Sequence, residues 1–488
     1  MKVALSTLLP EQSLPSAIAT QCVSGLRLDS RHVQTGDGFI AVPGVAVDGR
    51  KFIDAAIHAG AAVVLADAPH ASVAELSGVP IIGVPNLQHC VGEVAGHFYG
   101  EPAKSMQCFA VTGTNGKSST TWFLRDALNA LGQQCGLVGT LGMQFGSVDI
   151  DTGHTTPDAI TLHAGLAQFR EQGATMLAIE ASSHALEQSR LAGMPISVAV
   201  FTNLSRDHLD YHGDMDQYFA AKAKLFSRSE LQVAVINDAD EYGQKLAKSL
   251  GGKVQTLTFG TAQSDIVCSD WQATAQGMQF ELQLPSGKVA CSTTVFGRFN
   301  LDNLMAVAAV LHGLNYSADE VARGLSAVTP VPGRMQAVHA AQPCVLVDYA
   351  HTPDGLEKAL SAARDHFDGK LWCVVGCGGN RDAGKRPQMA AIAERLADHI
   401  IFTSDNPRFE EPQTILADML QGISNQDAVQ IQVDRARAIA MAIEQADSQD
   451  VVLIAGKGHE SWQEIRGEKI PMDDRLLAQA ALQQRGAA

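Results

Sequence analysis

The chain has 488 residues, 46% apolar and 18% charged, which excludes a small module and a disordered chain and leaves room for roughly three domains of about 150 residues each. Lys plus Arg number 36 against 52 Asp plus Glu, a formal charge of -16, and no run of five basic residues occurs, so a nucleic-acid partner is disfavoured. Nine scattered cysteines and the absence of CxxC spacing between Cys373 and Cys377 speak against a disulfide framework or a zinc site, and point to reduced thiols.

The N-terminal stretch "MKVALSTLLPEQSLPSAIAT" is interrupted by Pro10, Glu11 and Pro15, which a signal peptide would not tolerate, and no apolar run approaches the roughly 18 residues of a membrane span. A soluble, cytoplasmic protein without a membrane span is the expectation. The first hundred residues, with "FIAVPG" and "AAVVLADAP", form a small α/β piece ending near "FYGEPAKS". From about residue 105 short apolar runs alternate with helical stretches: "CFAVTG", "TTWFLRDALNALG", "CGLVGT", then "TMLAIE", "VAVFTN" and "VAVIND". Leu124, Leu128 and Leu131 share a helix face and Gly132 is placed to end that helix. This is βα grammar, with a parallel sheet whose strand ends carry chemistry.

Residues 278–296 alternate around a Ser-Gly turn and predict a hairpin beside that sheet; a helix is expected from about Leu304, and another after Ser317 and Glu320 in capping-box spacing. "TPVPGR" predicts a linker. Beyond it "CVLVDYA", "LWCVVG", "HIIFT", "VQIQV" and "DVVLIAG", separated by helices near 354–366 and 386–397, make a second α/β unit. The expected divisions are 1–103, 104–329 and 330–488.

"VTGTNGKSST" sits where a strand feeds a helix, so backbone N–H groups and the helix N-terminus can hold phosphate oxygens. Lys117 would reach the β and γ phosphates of ATP, and the Ser118 hydroxyl suits magnesium. The full phosphate-loop pattern is not met, because its first glycine would fall at Val111. Gly113, Thr114, Asn115, Gly116, Lys117, Ser118 and Ser119 are the candidate ATP contacts, and a kinase, an ATPase and an ATP-dependent ligase all remain open.

The shortened loop "GTNGKSS" resembles that of the Mur ligase family, ATP-dependent amide-forming enzymes. "EASSHAL" (180–186), "TNLSRDHLDYHG" (202–213), "YFAAKAKLF" (218–226) and "DYAHTPD" (348–354) extend the resemblance, as do "DSR" (29–31), "GRFNLDN" (297–303) and "GKGHE" (456–460). Each block is weak alone; together, in this order and spacing, they are specific. The resemblance implies three α/β domains: a smaller N-terminal one for a UDP sugar, a central phosphate-loop-type ATPase sheet, and a Rossmann-like C-terminal one that brings an amino acid. Within the family it points to the members that add the third residue of the peptidoglycan stem peptide to UDP-N-acetylmuramoyl-L-alanyl-D-glutamate; a monomer is the expectation for this chain.

Such members phosphorylate a carboxylate with ATP, and an amine then displaces phosphate. By resemblance Glu180 and His208 hold Mg2+ with Ser118, and Lys222, in the pattern Tyr-x-Ala-Ala-Lys, is the lysine carbamylated by carbon dioxide; Lys117, Glu180, His208 and Lys222 are the catalytic set. Considered singly, Glu180 reads as a capping acid, His208 as a loop residue, and Lys222 and Lys224 as solvated lysines. The resemblance places Asn300 and Asn303 near adenine, with Arg334 and Asp348 near the ribose and phosphates. Asn303 opening a helix is equally a plain cap. Leu28, Ser30, Val45, Ala46 and Val47 would meet the UDP end, and Thr155, Thr156, Ser182, Gln188 and Arg190 the sugar and peptide.

Relatives differ in the amino acid they add, meso-2,6-diaminopimelate or L-lysine, and diaminopimelate has an extra zwitterionic end. Arg408 can clasp that carboxylate bidentately, with Asp405, Asn406 and Pro407 shaping its turn and Asp405 and Asn406 free to orient the guanidinium or meet an amine. Arg381, Gly456 and Glu460 complete the implied set. Diaminopimelate is therefore expected over lysine, because a site built for a carboxylate leaves a guanidinium unpaired without one. A folylpolyglutamate synthetase-like ligase would lack this motif, and a dehydrogenase is disfavoured because "VVGCGGNRDAG" puts Arg381 at the third glycine position of a dinucleotide fingerprint.

Overall fold

The computed structural model describes residues 2–44, 47–339 and 343–487; Val45 and Ala46 lie outside the described residues. The chain divides into two compact units, 1–267 with 305–317, and 268–304 with 318–488. Among the described residues no helix is long and apolar enough to cross a membrane.

The first unit holds two main sheets. The smaller one runs Leu26–Arg27, Gly38–Ala41, Val63–Ala68, Val79–Pro85 and Ser72–Leu76, parallel except for the last, antiparallel edge strand. The larger has eight strands, with Gln107–Thr112 flanked by Met176–Glu180 on one side and Ile196–Phe201 on the other. Its six central and far strands are parallel, and a hairpin, Gly142–Phe145 with Val148–Ile150, closes one edge antiparallel. Cys108, Phe109, Ala110 and Val111 are wholly buried, as a strand covered on both faces by helices requires. Glu180 pairs in register with Val111 and Phe201 with Thr112, so three strands end at one level. The chain leaves Met176–Glu180 and returns on the far side of Gln107–Thr112, which makes this edge a topological switch point.

The second unit carries a six-stranded sheet in the order Gln336–His339, Cys344–Asp348, Val451–Ala455, Leu371–Val375, His399–Phe402, Val429–Ile431; only the first strand is antiparallel. Leu360, Met389 and Leu416 pack one face and Ile439, Ile443 and Ala478 the other, the two-sided cover of a Rossmann-like sheet. Helices Pro353–His366 and Lys385–Leu396 fall within a residue of expectation.

Two expectations need correction. The hairpin of 278–296 gains a third strand, Val267–Thr274, and the three form an antiparallel sheet of their own. That strand was hidden because Ser269 and Asp270 break its apolar pattern on an exposed face. The helix expected from Leu304 starts at Phe299. Its asparagines bond back to the preceding turn, Asn300 Nδ2 to the Phe296 carbonyl at 2.8 Å and Asn303 Nδ2 to the Asn300 Oδ1 at 3.0 Å, so residues that read as turn formers sit inside the helix and Asn303 is not its cap.

Arg435 and Asp474 form a bidentate pair, 2.8 and 2.7 Å, with both side chains at 0% exposure; Arg435 also donates to the carbonyls of Ser404 and Ala455. Removing one partner of such a pair strands a charge in the core. Asp474→Ala is therefore expected to lower the unfolding free energy of this unit by about 3–5 kcal/mol in a denaturant titration, and an unchanged midpoint would contradict that role.

Candidate functional site

In the first unit, loop 113–116 joins strand Gln107–Thr112 to helix Lys117–Ala130. Gly113 has φ +149, and a Cβ there would lie 1.9 Å from Thr202 Oγ1, so only glycine lets the loop pass. The neighbouring strand end laces the loop down: Thr114 N donates to the Asn203 carbonyl (2.9 Å), Asn115 N to Asn203 Oδ1 (3.0 Å), and Thr202 Oγ1 to the Asn115 carbonyl (2.6 Å). Lys117 Nζ donates to the carbonyls of Gly113 and Thr114 at 2.9 and 2.8 Å. Ser119 is buried in the first helical turn. The loop is thus held in place at the helix N-terminus, where its backbone N–H groups can receive phosphate oxygens.

Glu180 ends its strand 2% exposed, and it caps no helix. Its carboxylate accepts from Ser118 Oγ (3.0 Å), from Thr140 N (2.8 Å) and from Thr140 Oγ1 (3.3 Å). A buried carboxylate beside two hydroxyls is a hard-oxygen donor set that suits Mg2+. Thr140 was not anticipated; its signal was its place directly after the strand Cys135–Gly139, in "GLVGT".

Lys222 is 1% exposed, not a solvated lysine. Its Nζ donates to the Gly113 carbonyl at 2.7 Å and lies 4.5 Å from the centre of the Tyr218 ring, whose hydroxyl meets Thr114 Oγ1 at 3.2 Å. Burial, reinforced by the positive charge of Lys117, pulls the Lys222 amine down to about 6. Lys224, two residues on, is half exposed and pairs with Glu187, as a surface lysine does.

His208 has φ +52 at the start of the short helix Leu209–His212, with Nε2 3.4 Å from Asp207 Oδ2. Its ring stands 4.9 Å from that of His184, which in turn lies 5.5 Å from His212. Burial lowers the pKa of His184 and of His212 from the ordinary histidine value.

A cleft of about 340 Å³ is lined by Lys117, His208 and Lys222 together with Thr155, Thr156, Ser182 and Arg190. Residues expected to touch ATP and residues expected to touch the dipeptide therefore share one space. Thr156 Oγ1 donates to the Glu180 carbonyl (2.7 Å) and accepts from Ser182 N (3.1 Å). Arg190 donates to the Thr156 carbonyl (2.7 Å) and doubly to Gln188 Oε1, while Gln188 Nε2 donates to the Tyr211 hydroxyl (3.1 Å). Ser182 also caps helix Ser183–Glu187, so it serves the backbone as well. A second cavity of about 630 Å³ is bounded by Leu26, Leu28, Asp29, Arg31, Asp158 and Ile160 among others. Ser30 opens the turn Ser30–His32, and Val47 is exposed.

In the second unit, Asn300 and Asn303 are buried and bonded to each other. The Arg334 guanidinium lies 5.7 Å from the Tyr349 ring centre. Asp348 accepts from Met335 N at 2.7 Å, and burial pushes its carboxyl up to about 6.

Asp405, Asn406 and Pro407 follow strand His399–Phe402 and are buried, and Arg408 has φ +53. Its Nε meets Glu464 Oε2 at 3.1 Å and its Nη1 donates to the Gly379 carbonyl at 2.9 Å. The guanidinium is thus held by Glu464 and a backbone carbonyl, not by Asp405 or Asn406. Those two are engaged elsewhere: Asn406 Nδ2 donates to Glu460 Oε2 (2.9 Å), Asn406 Oδ1 accepts from Glu464 N (2.9 Å), and Asp405 Oδ1 accepts from Asn406 N (2.6 Å). Gly378 and Gly379 are small because a Cβ on them would reach 3.0 Å from Arg408 Nη1 and 2.0 Å from the Pro407 carbonyl. Gly456 has φ +121 with Asp405 packed over it, and Arg381 is exposed.

Residues 23–99 match the Mur ligase family catalytic domain, 111–311 the Mur ligase middle domain, and 333–458 the Mur ligase glutamate ligase domain. The chain is 46% identical over 467 residues, 94% of its length and 96% of the relative's, to the UDP-N-acetylmuramoyl-L-alanyl-D-glutamate--2,6-diaminopimelate ligase of Coxiella burnetii. It is likewise 46% identical over 487 residues, 98% and 97% of the two chains, to the ligase of that name from Xanthomonas campestris pv. campestris. A solved structure of a ligase of that name superposes over the whole of both chains with a TM-score of 0.76 at 35% identity. A MurF structure from Acinetobacter baumannii, at a TM-score of 0.63 and 16% identity, shares the fold.

Proposed function

The chain belongs to the Mur ligase family, and from that premise we propose that it ligates meso-2,6-diaminopimelate to UDP-N-acetylmuramoyl-L-alanyl-D-glutamate, giving the UDP-muramoyl tripeptide, ADP and phosphate. The observation that carries this reading is the shared cleft, which Lys117 lines together with Thr155, Thr156, Ser182 and Arg190. Residues 1–103 take the UDP end, 104–329 ATP and the dipeptide, and 330–488 the amino acid. The protein works in the cytoplasm, as a monomer, on small molecules.

A substrate carboxylate oxygen attacks the γ-phosphorus of ATP, forming an acyl phosphate and ADP. The diaminopimelate amine, neutral when it attacks, adds to the acyl carbon; the tetrahedral intermediate then expels phosphate and the nitrogen loses its proton. Lys117 and the backbone N–H groups of 113–118 hold the phosphates in line, and Arg190 fixes the dipeptide. Ser118, Glu180, His208 and a carbamylated Lys222 would hold Mg2+. When bound, it neutralises charge on the transferring phosphoryl group. Arg334 and Asp348, with Asn300 and Asn303, serve the nucleoside. Arg408, Arg381 and Asn406 serve the far end of diaminopimelate, and Glu460 its ammonium.

The test is mass spectrometry of the product formed from dipeptide labelled with 18O in its free carboxylates. The expected result is a diaminopimelyl product and transfer of one 18O to the released phosphate. Product without label transfer would rule out the acyl phosphate, and no product would rule out the reaction.

A further inference from the structure

Between the two positive-φ glycines of "GKGHE" lies Lys457, whose side chain is 0% exposed. Its Nζ donates to Asn406 Oδ1 and to Glu460 Oε2, both at 3.0 Å, and lies 5.5 Å from the Trp462 ring centre. Asn406 Nδ2 closes the triangle onto the same Glu460 oxygen at 2.9 Å.

The two glycines fix where the lysine goes. A Cβ on Gly456 would lie 2.5 Å from Asp405 Oδ2, and one on Gly458 2.6 Å from the Gly333 carbonyl and 2.7 Å from Tyr349 Cβ. The backbone of 456–458 is clamped on both sides, and the hydrogen bonds to Asn406 and Glu460 hold the ammonium. It also settles which way Asn406 points: Oδ1 receives two N–H donors, from Lys457 and from Glu464 N, leaving the amide NH2 for Glu460.

Stability alone is a poor reason for this arrangement, because a buried ion pair gains little over a well-packed apolar side chain. Both partners of the ammonium, however, belong to the group that receives the amino acid. We propose that Lys457 is a positioning residue that sets amino-acid specificity: it locks Asn406 and Glu460 in place, and its charge offsets Glu460 so that the site accepts a zwitterionic end rather than a lone ammonium. This rests on the ligase reading given above. Without the lysine the site is one charge more negative, and a cationic amino acid such as L-lysine gains relative to diaminopimelate.

The experiment is steady-state kinetics of Lys457→Met and Lys457→Arg beside the wild type, varying each substrate in turn. For Lys457→Met the KM for diaminopimelate should rise by about tenfold or more, the KM values for ATP and the UDP dipeptide should stay within about twofold, and the kcat/KM preference for diaminopimelate over L-lysine should fall. Lys457→Arg, which keeps the charge, should restore part of that preference. An unchanged diaminopimelate KM, or a parallel loss across all three substrates, would overturn the proposal.

Should Lys457→Met fail to fold, wild-type protein labelled with 15N at lysine Nζ gives an independent reading. The buried ammonium signal should shift on adding diaminopimelate and not on adding ATP; a signal indifferent to diaminopimelate overturns the proposal. A wild type that turns over no diaminopimelate would instead remove the ligase reading itself.

Discussion

Lys222→Ala is expected to lower turnover by about 100-fold or more, with part of the loss recovered on adding a small carboxylate such as formate or acetate. The reason lies in the site of this amine. Burial and the nearby Lys117 charge hold Lys222 down at about 6, so at neutral pH the nitrogen carries a lone pair instead of a proton. A neutral amine attacks carbon dioxide to give a carbamate and a released proton; an ammonium cannot.

The product keeps one N–H, enough to donate to the Gly113 carbonyl that Nζ now contacts, and places an anion beside the phosphate loop where a neutral amine stood. The sign of the pH dependence follows. The amine is available above about 6 and lost as pH falls through that value, so carbamate and activity should both decline on the acid side. Full activity in Lys222→Ala would refute the role, and loss without rescue by carboxylates would assign Lys222 to shaping the loop.

Arg408→Ala is the second large effect: the KM for diaminopimelate should rise by about 100-fold, with the KM for ATP and for the UDP dipeptide nearly unchanged. Glu464 and the Gly379 carbonyl already engage the guanidinium. An amino acid lacking the second carboxylate therefore does not leave Arg408 wholly unpaired, which tempers the discrimination argued from sequence. Removing Arg408 leaves Glu464 without its cation, so the preference for diaminopimelate over L-lysine should narrow along with the affinity. An unaltered diaminopimelate KM in Arg408→Ala would sink the assignment of this motif.

Much of the candidate site was legible because strand ends announce themselves: an apolar run followed at once by Glu180 or Thr202, or by Asp405 after Thr403 and Ser404, marks the edge of a parallel sheet, where ligands gather. The α/β class followed from the same pattern, whereas Thr155 and Thr156 were named by the family resemblance alone. Partner choice was not legible. Nothing local says that Thr140 holds Glu180, that Glu464 pairs with Arg408, or that Lys457 reaches Asn406, because each bond joins residues about 40 or more positions apart and is fixed by packing. The helix start at Phe299 was missed because asparagine's habit of bonding its own backbone serves a turn and a helical first turn equally. Lys222 looked like a surface lysine until its burial was seen, and the family pattern alone set it apart from Lys224.

The most direct measurement is phosphate release by the full chain with ATP, Mg2+ and UDP-N-acetylmuramoyl-L-alanyl-D-glutamate, comparing meso-2,6-diaminopimelate, L-lysine and glutamate as third substrate. Release that depends on diaminopimelate and is far weaker with the other two is the predicted result. Release indifferent to diaminopimelate, or supported equally by lysine or glutamate, would contradict the account.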